Sequence, residues 1–310
     1  MNTAAAAAKR KKNLNEIASL PNFLINGFFW FYTILCVLPL LLVIAVSFSD
    51  ENSVLVDGYK LWPEKFSTSA YDFLLSDWAS IVRSYGVSIL ITLVGTMIAL
   101  ITMSLYAYPI SRQDFPHRKV FSFIMFFTLL FNSGLVPFYL LYTQGLHLRD
   151  NLWVLMIPMF VQPFFVLLIR TFFTHSVPPA LLESAKIDGA GEWRIFAQIV
   201  LPLSLPVLAT VGLFCTLTYW NDWFLSLLFI NEDTLYTIQF RMYQALLDIT
   251  FLSANSTAYS ALLAQNPDYQ LPTETVTMAM AVVGIGPIVF AYPFFQRFFI
   301  KGLTVGAIKG

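Results

Sequence analysis

The stretch Glu183-Ser184-Ala185-Lys186-Ile187-Asp188-Gly189, followed further on by Ile199-Val200-Leu201-Pro202, is an island of polar residues between two long apolar segments. Pro178-Pro179 suits a helix start, because proline tolerates the first turn. Ala180 to Asp188 are mostly good helix formers. Gly189 marks the stop, since glycine reaches the left-handed conformation without steric cost. Past Gly191 a second amphipathic piece begins. Ile195, Phe196, Ile199 and Val200 fall on one stripe, while Glu192, Arg194 and Gln198 face water or a partner. Pro202 and Pro206 mark the entry to the next apolar span. The stretch therefore predicts a short helix, a tight bend and a second helix, where a membrane chain turns round in the aqueous phase.

Composition puts the whole chain in a membrane. Of 310 residues, 57% are hydrophobic and only 12% charged, about half the roughly 25% charged of an average soluble domain. The formal net charge is zero, which excludes the basic footprint a nucleic-acid partner needs. Cys36 and Cys215 both fall in apolar runs and read as free thiols acting as small hydrophobes. His117, His147 and His175 are scattered through loops with no metal-ligand spacing, so neither a metal nor a cofactor site is expected in this chain.

Six apolar segments approach the ~20 residues a bilayer requires: Phe28–Phe48, Tyr85–Tyr108, Val120–Tyr142, Leu152–Phe173, Leu203–Ile230 and Val276–Phe295. The expected fold is an all-α polytopic membrane protein with six transmembrane helices. The first segment is too long for a signal-peptide core of about 7–15 residues and lacks a clear small-residue cleavage site. Six spans place both termini on one side, and the positive-inside rule chooses which. With the N-terminus inside, the inner segments hold Lys9, Arg10, Lys11, Lys12, Arg112, Arg118, Lys119, Arg170, Lys186, Arg194, Arg297, Lys301 and Lys309, which is 13 of the 18 basic residues. The outer segments hold only Lys60, Lys65, Arg83, Arg149 and Arg241. Both termini and the Glu183 loop are expected in the cytoplasm. The resulting division is a cytoplasmic tail 1–26, a six-helix transmembrane domain 27–299 and a cytoplasmic tail 300–310. The cytoplasmic Glu183 loop lies at about 175–202 and a long extracytoplasmic loop at about 231–275, in which Gln239–Leu252 reads as a short helix.

Glu183, Ala185, Gly189, Ile199, Leu201 and Pro202 match, in type and spacing, the "EAA" loop of permease subunits of binding-protein-dependent ABC importers. Ser184 departs from it, a small residue in place of the usual second alanine. Phe131-Asn132-Ser133-Gly134-Leu135-Val136-Pro137, the segment Trp220–Trp223 and the ending Gln296–Gly310 resemble carbohydrate permeases of the maltose-importer type. The ending is closest to the branch handling oligosaccharides from polysaccharides, uronic-acid-containing ones included. The resemblance implies a type I ABC importer permease fold, in a bacterial cytoplasmic membrane. It also implies one half of a heterodimeric sugar pore, with a second homologous permease beside it, two ATP-binding subunits below and a solute-binding protein above. ATP and Mg would be bound by those ATPase partners, since the chain has no Gly-x-x-x-x-Gly-Lys-[Ser/Thr] phosphate loop. Glu183, Ser184, Ala185, Asp188 and Gly189 would then couple the pore to the ATPase.

Polar residues at membrane depth are costly and usually face a bundle interior or a watery cavity. Trp220-Asn221-Asp222-Trp223, placed in the fifth span, is the clearest case. A sugar ring can stack on an aromatic while the carboxylate accepts hydroxyl hydrogen bonds. The alternative is an interfacial aromatic belt with Asp222 already near water. Asn132, placed in the third span, either reaches a hydroxyl or sits where Gly134 and Pro137 kink the helix. Gln162-Pro163 in the fourth span is a weaker instance. The spans carry almost no basic residue, so they give no support of their own to an anionic cargo. A rival reading is an ATP-independent secondary transporter of small polar solutes, which would be expected to show inverted repeats; none is evident. An intramembrane enzyme would need a convergent catalytic set, and none is present.

Overall fold

Among the described residues three apolar helices are long enough to cross a bilayer unbroken, and three more crossings can each be made by a bent pair of helices. The computed structural model describes residues 19–265 and 273–296. Among these there is no strand, only an isolated antiparallel bridge between Ser49 and Phe66. The basic cluster Lys9–Lys12, the Asn266-Pro267-Asp268 run and nearly all of the C-terminal ending lie outside the described residues.

α1 (Ser19–Ser47) exposes apolar side chains on every side, Phe23, Trp30, Phe31 and Leu41 among them. That is the surface of a helix facing lipid or another membrane chain. Its C-terminal part packs against the helix Glu274–Ile285, and at its end Val46 and Ser47 are buried and the Ser47 hydroxyl meets the Tyr71 hydroxyl at 2.8 Å. α2 (Glu51–Asp57) and α3 (Ser69–Leu74) fill the first connection. α4 (Trp78–Ser111) has 34 residues and is therefore about 50 Å long, more than the ~30 Å hydrocarbon core. It starts well before the expected Tyr85 and carries the chain from one aqueous face to the other.

The expected third, fourth and fifth spans are not continuous. α5 (Arg118–Leu130) ends at Phe131, and α6 (Leu135–Leu140) leaves at 115° to it. The break is local chemistry. Asn132 Oδ1 accepts the Gly134 amide at 3.0 Å, and Gly134 takes φ +81°, a region nearly closed to other residues. After 3₁₀ turns over Leu152–Met159, α7 (Pro163–Ser176) sets off at 49°. Pro163 forces Gln162 into extended backbone. α8 (Pro179–Ile187) is the predicted short helix. α9 (Glu192–Ile195), a π turn at Phe196–Val200 and α10 (Leu201–Leu203) follow, and α11 (Leu205–Trp220) then turns by 79°. α11 stops at Trp220, so Asn221 and Asp222 lie past a helix end, not inside a span. α12 (Phe224–Phe229) restarts after them.

Beyond α12, the outer helix foreseen at Gln239–Leu252 is α13 (Ile238–Ala254), with the Thr237 hydroxyl accepting the Phe240 amide at its start. α14 (Ser256–Gln265) and α15 (Glu274–Ile285) complete the described chain, α15 running on to Gln296 through a 3₁₀ turn.

The core gathers on α4. Its buried face carries a ladder, Ser84, Ser88, Thr92, Thr96, Ala99, Met103 and Ala107, small but for the methionine, mostly four residues apart and so on one side of the helix. Small residues let helices approach closely where no hydrophobic effect drives them together. Ser88 Oγ accepts the Ile238 amide at 2.8 Å, and Ser84 Oγ accepts Arg241 Nε at 3.3 Å, joining α4 to α13. At Gly95 a Cβ would lie 2.7 Å from the Tyr219 ring, so glycine alone permits the α4–α11 contact. Tyr219 is itself buried and donates its hydroxyl to the Met156 carbonyl at 2.9 Å.

Candidate functional site

Two polar regions stand at different depths: a joint at the Ser111 end of α4, and a cavity at the helix breaks.

At the joint, α8 ends in a Schellman cap. The Ala190 amide donates to the Ala185 carbonyl at 2.9 Å, and the Gly189 amide donates to Lys186 at 3.0 Å. Gly189 sits at φ +79°, which is what its place after the last helical turn requires. Ala185 and Ala190 both pack against the core, so the inner side of α8 is fixed. Glu183, Ser184, Asp188 and Gly189 are exposed on its other faces. Ile187 is 86% exposed and Trp193 75% exposed, an apolar patch of the kind that marks an interaction surface when it is rimmed by charge. The predicted stripe on the second helix is buried at Ile195, Phe196 and Val200 and partly buried at Ile199.

Sequence reasoning missed what holds α8 from the side. The loop after α4 supplies Arg112 and Asp114. Lys186 Nζ lies 2.8 Å from Asp114 and 3.0 Å from Glu192. Arg112 lies 3.1 Å from Asp114 and 4.0 Å from Glu192. The Tyr108 hydroxyl donates to Glu192 as well. The Lys186 ammonium and Arg112 guanidinium beside Asp114 hold its carboxyl down at about 2. In the sequence these charges registered only as a topology signal, because nothing in it says which loop meets which.

The second region brings together two candidates from different spans. Asn132 and Asp222 line one cavity of about 320 Å³, with Gly134, Leu135, Phe138, Met159, Phe224 and Leu225. Each side chain also serves its own break: Asn132 closes the turn at Gly134, and Asp222 Oδ2 accepts the Leu225 amide at 3.3 Å, capping α12. The cavity wall thus holds a carboxylate, an amide and apolar surface, and no cation.

The other members of the cluster separate. Trp220 is 3% exposed and donates its indole N–H to the Gly284 carbonyl at 2.9 Å, tying α11 to α15. Asn221 turns back on the Leu217 carbonyl. Trp223 stacks on Tyr243 with ring centroids 4.3 Å apart and remains 37% exposed. Gln162 is partly buried at the fourth-span break, its amide nitrogen without a partner. Among the described residues no group of histidine, cysteine or carboxylate side chains is placed to hold a metal, and Cys36 and Cys215 are free thiols.

The comparisons agree with this architecture. The profile of the family "Binding-protein-dependent transport system inner membrane component" matches residues 111–305. The chain is 36% identical over 289 residues to the "Polygalacturonan/rhamnogalacturonan transport system permease protein YtcP" of Bacillus subtilis (strain 168), covering 93% of this chain and 98% of that one. It is 37% identical over 274 residues to "Protein LplC" of the same organism, covering 88% and 90%. It is also similar to a chain of a solved bacterial ABC transporter "involved in the import of the acidic polysaccharide alginate", with a TM-score of 0.74 and 27% identity, covering 90% of this chain and 96% of that one. The bent spans, the capped α8 and these matches lead to one conclusion: this chain belongs to the inner-membrane permease family of binding-protein-dependent ABC transport systems, as a transport subunit and not an ATPase.

Proposed function

We propose that the chain forms half of the pore of an ATP-driven importer that takes up oligosaccharides handed over by a solute-binding protein. The observation that carries this reading is α8: a helix locked on one side by its Schellman cap and core contacts, while Glu183, Asp188 and the apolar Ile187 stay exposed. Such a projecting, rigid, amphipathic element suits docking into a cleft of an ATPase subunit. The partners are a second homologous permease, two ATP-binding subunits that hold ATP and Mg, and the binding protein. The charge distribution favours a bacterial inner membrane with the tails 1–26 and 300–310, and the 175–202 loop, in the cytoplasm. The 231–275 segment then faces the binding protein, and 27–299 is the membrane domain.

The cavity between the breaks supports a sugar cargo. Hydroxyls need acceptors and donors at close quarters, which Asp222 and Asn132 supply, and the apolar wall suits the faces of a ring. The YtcP relative is named for polygalacturonan and rhamnogalacturonan, and the alginate system for an acidic polysaccharide. This wall has a carboxylate and no cation, so it suits neutral hydroxyls, and the acid groups of such a cargo would have to be met elsewhere in the pore.

The test is a capture experiment with a tag on this chain in native membranes. The native chain should bring down a second permease and an ATPase, and Glu183→Arg should keep the permease and lose the ATPase. Retention of the ATPase by that variant would remove α8 from the docking surface. In the same complex, Asp222→Ala should lower sugar uptake about tenfold, the lower end of one lost hydrogen bond to a charged group. Unchanged uptake would return Asp222 to helix capping alone.

A further inference from the structure

The ion network beside α8 does something the docking surface alone cannot. On its C-terminal side α8 reaches the membrane through the Gly189 cap, the Glu192–Leu203 segment and a 79° bend into α11, and on its N-terminal side it joins α7 through Val177-Pro178. A push sent along the C-terminal path meets that bend. The straight route into the bundle is α4, the long helix whose buried ladder meets α11 and α13. α4 ends at Ser111, and the next residues are the ones that grip Lys186 and Glu192.

We propose that Arg112, Asp114, Lys186 and Glu192 form a strut that makes α8, the start of the following helix and the end of α4 move as one body, so that ATPase motion reaches the pore through α4. This rests on the reading of α8 as the ATPase-docking helix. All four are positioning residues, since none needs to touch ATP or sugar.

The geometry is that of a closed ring. Each anion meets both cations: Asp114 lies at 2.8 Å from Lys186 and 3.1 Å from Arg112, and Glu192 at 3.0 Å and 4.0 Å from the same two. An isolated exposed pair contributes little, whereas several charges in one network do better. Arg112 is the anchor, with its side chain only 13% exposed. Two further bonds brace the same corner from α7: Arg170 Nε donates to the Ile110 carbonyl at 3.4 Å, and the Thr174 hydroxyl donates to Ser111 at 3.5 Å. The low pKa of Asp114 agrees with this ring, since both cations favour its charged form. A ring of charge also has a property that packing lacks. It depends on sign alone, and exchanging all four signs restores it.

The experiment measures whether the two ends move together. Spin labels are attached at Gln113→Cys and Ala180→Cys, both at exposed positions, with Cys36→Ser and Cys215→Ala removing the native thiols. The complex is captured through a tag on this chain, placed in lipid nanodiscs, and its label distances are read without nucleotide and trapped with ADP and vanadate. With the native ring the mean distance should be the same in both states. Asp114→Asn should give a distance that shifts with nucleotide, and the fully exchanged ring, Arg112→Glu, Asp114→Lys, Lys186→Glu and Glu192→Lys, should abolish that shift again. A native distance that itself shifts, or an Asp114→Asn distance that does not, overturns the proposal. So does loss of the ATPase from the Asp114→Asn complex, which would place Asp114 on the docking face. A native chain captured without any ATPase overturns the reading on which the strut rests, and the strut with it.

Discussion

Removing the Glu51 carboxylate should loosen the last membrane helix from the first loop. Glu51 is 5% exposed and caps the start of α15 from across the fold. Its Oε1 accepts the Thr273 amide at 3.0 Å, the Thr273 hydroxyl at 2.9 Å and the Glu274 amide at 2.9 Å. Its Oε2 accepts the Thr275 amide at 3.0 Å and the Thr275 hydroxyl at 2.6 Å. Negative charge at a helix N-terminus is favourable, since the first amides have no partner in the helix. Burial alone pushes the carboxyl pKa up; the hydrogen bonds from Thr275, Glu274 and Thr273 outweigh it and hold it below the usual carboxylate range.

Each hydrogen bond to a charged acceptor contributes about 1.5–3 kcal/mol in isolation, but water reaches a helix end and the five do not add. Deleting the carboxylate leaves neutral buried donors unsatisfied at about 1–3 kcal/mol each, so with water meeting some of them the total is about 3–5 kcal/mol. We expect that loss for Glu51→Ala, or about 10 °C in melting temperature at roughly 2–4 °C per kcal/mol. Glu51→Gln keeps the shape but turns an NH₂ toward donors, and should lose somewhat less. The pH dependence has a definite sign. Because the folded pKa is depressed, the stabilisation is complete above the ordinary carboxylate range and is lost as pH falls through and below it. The assay is thermal unfolding of the detergent-solubilised chain followed by tryptophan fluorescence, at pH 7 and through the acid range. A Glu51→Ala shift under about 2 °C at pH 7, or a variant as acid-sensitive as the native chain, would refute the reasoning.

Two other outcomes follow from backbone and packing. Gly95→Ala places a methyl 2.7 Å from a Tyr219 ring that its hydroxyl bond and burial hold still, so overpacking should cost about 1–3 kcal/mol; an unchanged melting temperature would mean α4 and α11 slide apart freely. Gly189→Ala meets open space, yet φ +79° there costs a residue with a Cβ about 1–2 kcal/mol. Hydrogen exchange at Ala185–Ala190 should therefore quicken in Gly189→Ala and less so in Gly189→Asn, and equal protection in all three chains would contradict the cap.

Much of this molecule could be read from its residues. The apolar runs fixed the membrane class, because about 20 consecutive apolar residues have no other stable home. The Pro178-Pro179 start and Gly189 stop fixed α8 to within a residue, because caps are local chemistry. α13 was legible for the same reason. The breaks in the third, fourth and fifth spans were not. An apolar run holding Asn-Ser-Gly reads alike whether the chain kinks or turns by 115°, since hydropathy measures transfer into lipid and not direction. Trp220 and Asp222 looked like one cluster because they are close in sequence. Past the end of α11 they part, Trp220 to the Gly284 carbonyl and Asp222 to the cavity it shares with Asn132.

The sequence by itself determined that the chain is helical and membrane-embedded, since composition, period and caps depend only on near neighbours, and its loop resembles that of importer permeases. Tertiary structure decided the rest: that Asn132 and Asp222, ninety residues apart, line one cavity, that Glu51 caps α15, and that Lys186 answers to Asp114. Those pairings depend on how long helices cross, and crossing geometry is settled by side chains that meet only once the bundle has closed.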